Sequence, residues 1–190
     1  MAKKEKKPFS LKKEVMEWME TLVWATVAVV LVFTFLGRTA VVSGSSMLPT
    51  YHDGDRMLIS SLGYTPEYGD VVVFAEKSGD KETLIKRVIA TEGQTVRIDY
   101  LRGTVWVDGQ VLDEPYRALL NSAGAPIGKW TQMPNYGFDY NTDIFEVTVP
   151  DGCLFVMGDN RNNSADSRFD AIGFVDERRV LGKVIYCFPA

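Results

Sequence analysis

The stretch VVVFAEKSGDKETLIKRVIA, residues 71–90, decides the fold class. It begins with a short apolar run rich in β-branched residues, turns at residues 78–81, and continues as a second strand-forming run over 82–90. Similar runs bounded by turn residues recur at 56–60, 95–100, 104–107, 110–112, 144–149, 153–157 and 182–188. No helical pattern is present after residue 37, so we predict an all-β domain of antiparallel coiled sheets, arranged as a sandwich or barrel.

Lys86 lies in the second of these strands, with aliphatic neighbours on its own face. Side chains alternate between faces along a strand, which puts Leu84, Lys86 and Val88 on one face. Burial among aliphatic side chains disfavours the charged ammonium and lowers its pKa. The alternative is an edge-strand lysine that extends its ammonium into solvent.

Ahead of the strands lies an apolar segment of membrane length. From Thr21 to Gly37 the chain has 17 residues without a charge, and the preceding tail, residues 1–14, holds six lysines and two glutamates. We predict one transmembrane helix over 15–37, with the N-terminal tail in the cytoplasm and residues 38–190 on the other side of the membrane. The alternative is a cleavable signal peptide, for which Val42-Ser43-Gly44 is the best cleavage site.

The charge distribution and the cysteines limit the classes of partner. The tail carries +4, which leaves −8 on the remaining residues because the whole chain carries −4. A basic tail ahead of an acidic body suits contact with the lipid bilayer and argues against nucleic acid. Cys153 and Cys187 lack metal-ligand spacing, so we predict no metal site. We predict two buried thiols. The alternative is a disulfide, which requires the two strands to be neighbours.

A loop just beyond the apolar segment can present a nucleophile. Ser43-Gly44-Ser45-Ser46-Met47-Leu48-Pro49-Thr50 places two adjacent hydroxyls between a glycine, which allows unusual backbone angles, and a proline, which fixes one. A serine attacks only if a nearby base takes its proton. His52 is too close in sequence to fold back onto the hydroxyl, and Lys86 is the alternative base. The other interpretation is a plain turn after a membrane helix.

A second polar cluster, residues 158–168, follows the strand-forming run 153–157. It consists of Gly-Asp-Asn-Arg-Asn-Asn-Ser-Ala-Asp-Ser-Arg, and its aspartates and arginines can order the loop as ion pairs. The alternative is a solvated turn whose ion pairs add little stability. Residues 117–143, by contrast, form a long irregular insertion of glycine, proline, asparagine and aromatic residues, typical of a functional or mobile loop.

Three motifs together resemble those of bacterial type I signal peptidases: Ser46-Met47-Leu48-Pro49-Thr50, Lys86-Arg87, and the cluster 158–168. The resemblance implies a serine endopeptidase, anchored in the bacterial cell membrane, that removes signal peptides from exported preproteins with a Ser-Lys dyad and no cofactor. It implies Ser46 as nucleophile, Lys86 as general base and Ser164 as the residue that orients the lysine by hydrogen bonding. Four charged residues would give the loop structural support: Asp159, Arg161, Asp166 and Arg168.

The resemblance also implies where the oxyanion and the substrate are held. The backbone N–H groups of Ser46 and Gly44 would bind the oxyanion, since Gly44 stands where some members have a serine whose hydroxyl helps. Ser45 would be a bystander. The preprotein would bind as an added β-strand, with small side chains in shallow apolar pockets lined by Val42, Met47, Leu84 and Ile85. Two other functions stay open: a Ser-Lys protease specialised for surface-fibre subunits, and a membrane-tethered binding domain without catalysis.

Overall fold

The strands of the protein follow one N-terminal helix. The computed structural model describes residues 11–36, 38–76, 83–121 and 123–190. Helix α1 spans Leu11–Leu36, and a single turn of 3-10 helix spans Glu177–Arg179. The strands are β1 (Arg38–Val41), β2 (Arg56–Ser60), β3 (Val71–Ala75), β4 (Thr83–Ala90), β5 (Thr95–Asp99), β6 (Thr104–Val107), β7 (Gln110–Val111), β8 (Phe138–Asp139), β9 (Ile144–Thr148), β10 (Cys153–Met157), β11 (Val175–Asp176) and β12 (Val180–Phe188).

The strands form two sheets. The larger has the order β1-β2-β12-β3-β4-β10-β11 and the smaller β7-β6-β5-β9-β8. Every pairing between these strands is antiparallel. The predicted all-β, antiparallel fold is therefore confirmed. The prediction omitted β1, β8 and β11, which are four, two and two residues long and too short to show alternation.

Strand β4 contributes to every core cluster of the described residues. Ile85 packs in the cluster beneath the loop that follows β1. Val88 packs with side chains of β3 and β10, and Ile89 packs with the smaller sheet. Each buried aliphatic side chain of this size contributes roughly 1.5–3 kcal/mol relative to exposure. Any side chain on β4 is consequently held on a rigid support.

Helix α1 begins at Leu11, four residues before the start predicted for the transmembrane segment. Its side chains from Leu11 to Val30 are exposed. Among the residues that the structure describes, no helix is found with both the length and the apolar character needed to cross a membrane. Residues 1–10 of the predicted basic tail, and Gly37, lie outside the described residues.

The two cysteines lie on strands that are not neighbours. Cys153 is on β10 and Cys187 on β12, and β3 and β4 lie between these strands in the larger sheet. Both are free thiols, as the simpler of the two interpretations predicts, although each is half-buried rather than fully buried. Burial raises the pKa of both thiols, so neither is poised as a nucleophile at neutral pH.

Candidate active site

The loop between β1 and β2, residues 42–55, is fixed by its own aspartates. Gly44 has a φ of +87°, which favours glycine, and its N–H donates to Asp53 Oδ1 at 2.7 Å. Asp55 accepts from the N–H of His52 at 2.8 Å, and the N–H of Val42 donates to the Asp55 carbonyl at 2.8 Å. These contacts close the loop at its base and leave Ser46 near its tip.

Ser46 and Lys86 lie in direct contact. Lys86 Nζ donates to Ser46 Oγ at 2.8 Å and to the Ile85 carbonyl at 2.9 Å. Lys86 is only 3% exposed, although the residues are 40 positions apart in sequence. A neutral amine at this distance can accept the serine proton instead of donating. The structure thus brings the amine of Lys86 to the hydroxyl of Ser46, whereas the backbone N–H of His52 donates to Asp55 at the base of the loop.

Burial lowers the pKa of Lys86. Desolvation is the largest cause and lowers its pKa from 10.5 to about 8. The Asp166 carboxylate acts in the opposite direction, and the Arg168 guanidinium lowers the pKa further. Close to neutral pH, a useful fraction of the lysine is therefore unprotonated and able to take a proton.

Two of the four predicted supporting residues connect the polar loop, residues 158–170, to the rest of the site. Asp159 accepts two hydrogen bonds from Arg87, at 2.8 and 2.6 Å, and a third from Thr50 Oγ1 at 2.5 Å. Arg161 is fully buried and donates to both carboxylate oxygens of Glu114, at 3.1 and 2.5 Å. The hydrogen-bond partners of these two supporting residues, which the sequence did not reveal, are Thr50, Arg87 and Glu114.

The other two supporting residues form a fully buried ion pair. Arg168 Nε and Nη2 each donate to Asp166 at 2.8 Å, and Nη2 also donates to the Arg161 carbonyl at 2.9 Å. Asp166 in turn accepts from the N–H of Gly158 at 3.1 Å. Burial would raise the pKa of Asp166, but Arg168 reverses this and holds it below the usual value. The carboxylate therefore stays charged beneath the site.

Ser164 lies in the site, but among the described residues it makes no hydrogen bond to Lys86, contrary to the prediction. The two hydrogen bonds of Lys86 go to Ser46 and Ile85, and Ser164 Oγ has no hydrogen-bond partner among the described residues. The hydroxyl is instead packed against Gly158, where an added Cβ would lie 2.3 Å from Ser164 Oγ and 2.5 Å from the Ser46 carbonyl. Because Gly158 lacks a side chain, Ser164 and the nucleophile's backbone both lie close to it.

One of the two predicted oxyanion donors is already engaged. The N–H of Gly44 donates to Asp53, because an aspartate side chain in such a loop captures nearby backbone donors. The N–H of Ser46 has no acceptor among the described residues. Gly44 is therefore not a free donor in this structure, and Ser46 remains the candidate.

A small cavity of about 90 Å³ opens beside the two dyad residues. It lies between β1 and the first half of β4, and its walls include Ala40, Ser43, Val73, Leu84 and Ile85. Two of the four residues predicted to line the substrate pockets, Leu84 and Ile85, are among these walls. Val42 and Met47 do not line it: they are 2% and 0% exposed and pack into the core beneath the loop. Val41, which precedes Val42 at the end of β1, is exposed and lines the cavity instead.

Comparison with known proteins shows the family to which the sequence belongs. The sequence profile of the family described as "Signal peptidase, peptidase S26" matches residues 15–188. The chain belongs to this family. The signal peptidase I S of Bacillus subtilis is 35% identical over 183 residues, which cover 94% of this chain and 91% of the relative. The signal peptidase IB of Staphylococcus aureus is 34% identical over 192 residues, with the same coverage.

A solved member of the family is also similar. The crystal structure of a signal peptidase I from Enterococcus faecalis aligns with a TM-score of 0.45 at 30% identity, over 64% of this chain and 97% of that one. Family membership rests on the sequence matches, which extend over nearly the whole chain. The resemblance to type I signal peptidases is thereby confirmed, and the protein is a peptidase of this type.

Proposed function

We propose that the protein removes N-terminal signal peptides from exported preproteins with Ser46 as nucleophile and Lys86 as general base. The contact of 2.8 Å between Lys86 Nζ and Ser46 Oγ carries this proposal. The pKa of about 8 supports it, since a lysine acts as a base only when it is neutral.

The reaction follows from these two groups. Neutral Lys86 takes the proton of Ser46 as Oγ attacks the scissile carbonyl, and the resulting oxyanion is bound by the Ser46 N–H. The lysine ammonium then returns the proton to the leaving amine, which departs as the new N-terminus. Water, deprotonated by Lys86, hydrolyses the acyl-enzyme and releases the signal peptide. Each proton that Lys86 removes is given back within the cycle.

Two open backbone edges flank the dyad and suit an extended substrate. Strand β1 is the last strand of the larger sheet on its side. Strand β10 pairs with β4 only over Arg87 to Ala90, so β4 is open on that side from Thr83 to Lys86. An extended preprotein segment that pairs with these edges brings its scissile bond to Ser46.

The size of the cavity limits which side chain the preprotein can carry just before the scissile bond. A cavity of about 90 Å³ walled by aliphatic side chains favours a small apolar side chain such as alanine over a bulky one. We expect a preprotein with leucine instead of alanine at this position to be cleaved about 100-fold less efficiently in kcat/KM. Matched substrates differing only there give the measurement. Equal efficiencies would assign the cavity no part in specificity.

The segment 15–37 is proposed as the anchor that holds the catalytic domain at the outer face of the cell membrane. The support is the uncharged run of 17 residues and the lysine-rich tail before it. We expect the protein to stay in the membrane fraction during carbonate extraction. We also expect external protease to digest the catalytic domain on spheroplasts. Release into the carbonate supernatant would contradict the anchor.

The proposed function is tested by mapping a cleavage product. Purified full-length protein in detergent, incubated with a preprotein, should generate one new N-terminus at the signal-peptide junction. Ser46→Ala should generate none, because the alanine cannot form the acyl-enzyme. Thermal unfolding of both proteins controls for folding. A product from Ser46→Ala at the same junction would exclude Ser46 as the nucleophile.

A further inference from the structure

Two asparagines of the polar loop contact Ser46 and the residue before it. The N–H of Asn160 donates to the Ser46 carbonyl at 3.0 Å, and its side-chain Nδ2 donates to the Ser45 carbonyl at 3.3 Å. Asn163 Nδ2 donates to Ser45 Oγ at 2.6 Å. Both peptide units that determine where Ser46 lies are therefore held by one loop.

Asn160 also connects this contact to the irregular insertion. It is fully buried, and its Oδ1 accepts from the N–H of Leu120 at 3.1 Å while its Nδ2 reaches Ser45. Ala118 pairs with the backbone on either side of it, donating to the Asp159 carbonyl at 2.8 Å and accepting from Arg161 at 2.9 Å. A side-chain amide can donate and accept at once, which neither a carboxylate nor an apolar side chain can do.

We propose that Asn160 and Asn163 form an amide clamp that positions the Ser46 hydroxyl against Lys86. The proposal rests on the proposed function and makes both asparagines positioning residues, with Ser45 as part of the clamp rather than a bystander. Lys86 is fixed by a core strand, whereas Ser46 lies on a loop, so the distance between them depends on what holds the loop. A displacement of about 1 Å in a catalytic group can cost about 100-fold in rate.

Asn162 provides a matched control within the same loop. Its side chain also bridges to the insertion, with Nδ2 donating to the Lys129 carbonyl at 2.7 Å and Oδ1 accepting from the N–H of Thr131 at 2.8 Å. No hydrogen bond connects it to the nucleophile loop among the described residues. Asn160→Ala and Asn162→Ala therefore each remove an amide bridge to the insertion, but only the first touches Ser45.

The first test compares preprotein cleavage by these alanine variants. Asn160→Ala should lower kcat about 10- to 100-fold and Asn163→Ala about 10-fold, each with KM within about twofold of wild type. The pH at which kcat is half-maximal should not move, because the burial of Lys86 is unchanged. Asn162→Ala should keep kcat within about twofold. An equal loss in Asn162→Ala and Asn160→Ala would overturn the clamp, since the effect would then be general loosening of the loop.

The second test uses a double-mutant cycle on the half-buried pair, whose single variants leave the core intact. Ser45→Ala and Asn163→Ala remove the same hydrogen bond, so the double variant should be no slower than the slower single variant. Losses that multiply, or single variants equal to wild type, would overturn the clamp even if Asn160→Ala fails to fold. A wild-type protein that cleaves no preprotein would count against the proposed function instead, so the two failures are distinct.

Discussion

A Lys86→Met variant should cleave preproteins about 10⁴-fold more slowly than wild type, yet be the more stable protein at pH 7. The loss of rate follows because methionine has no group that can take the proton of Ser46. Among the residues that the structure describes, Lys86 has one other hydrogen-bond partner, the carbonyl of Ile85, which cannot replace it as a base. The same buried position that makes the lysine a base makes it costly to the fold.

The gain in stability comes from the depressed pKa of the lysine. Lys86 is 3% exposed, and its pKa is lowered from 10.5 to about 8. The unfolded chain thus binds a proton more tightly than the folded one, and below about pH 8 the buried charge costs about 3 kcal/mol. The cost fades as pH rises from 8 to 10.5, where the lysine is neutral in both states. The advantage of Lys86→Met should fade over the same interval.

Urea unfolding at pH 7 and pH 10.5 measures this difference. Lys183→Met is the matched control, because the Lys183 side chain is 40% exposed and pairs with Asp70. It should gain no stability at pH 7 and should keep its activity. Two results would contradict this prediction: a Lys86→Met variant that is less stable than wild type at pH 7, or one whose stability differs from wild type by the same amount at both pH values. Either would show that the buried ammonium of Lys86 does not destabilise the fold.

The sequence supports the fold and the dyad for physical reasons. β-Branched runs between turn residues are local signals, so β3, β4, β9 and β10 were predicted close to their observed bounds. Alternation along β4 indicated an apolar environment for Lys86. The pairing of Lys86 with Ser46, 40 residues away, was suggested by setting His52 aside and by the family motifs, and not by any local pattern.

The remaining details of the site depend on contacts between distant residues. Arg87 and Asp159 are 72 residues apart, and Glu114 and Arg161 are 47 apart. No periodicity links residues at such separations. The loss of Gly44 as an oxyanion donor has a different cause, since one exposed side chain, that of Asp53, captures its N–H. The contacts of the clamp could not be predicted for both of these reasons. In the sequence Asn160 and Asn163 look like ordinary turn residues, and only the fold places their side chains against Ser45.

Replacing Arg168 by methionine should lower the free energy of unfolding by about 3–5 kcal/mol. Arg168 and Asp166 are both fully buried, and methionine fills much of the volume while leaving the carboxylate without its cation. Two backbone N–H groups, those of Gly158 at 3.1 Å and of residue 168 at 3.3 Å, would be the hydrogen-bond donors to Asp166 left among the described residues. Cleavage should fall as well, because the loop that carries Asn160 and Asn163 is built on this pair.

Arg178 offers a control with the same spacing and a different environment. It pairs with Asp176 two residues before it, as Arg168 pairs with Asp166, but its side chain is 89% exposed. Arg178→Met should therefore leave the free energy of unfolding nearly unchanged, because solvent screens an exposed ion pair. A cost for Arg168→Met no larger than this would show that the buried pair contributes no more than a surface one.

The origin of the cost can be separated from packing by pH and by a second substitution. In the wild type Arg168 lowers the pKa of Asp166 below its usual value, so the pair stabilises the fold at neutral pH and loses this effect in acid. Without Arg168, burial is the largest remaining influence on the carboxyl and raises its pKa, so the deficit of Arg168→Met should shrink as pH falls towards 4. Asp166→Asn combined with Arg168→Met removes the charge yet keeps an acceptor for Gly158. That double variant should be more stable than Arg168→Met alone at pH 7; if it is not, lost packing rather than an uncompensated carboxylate accounts for the destabilisation.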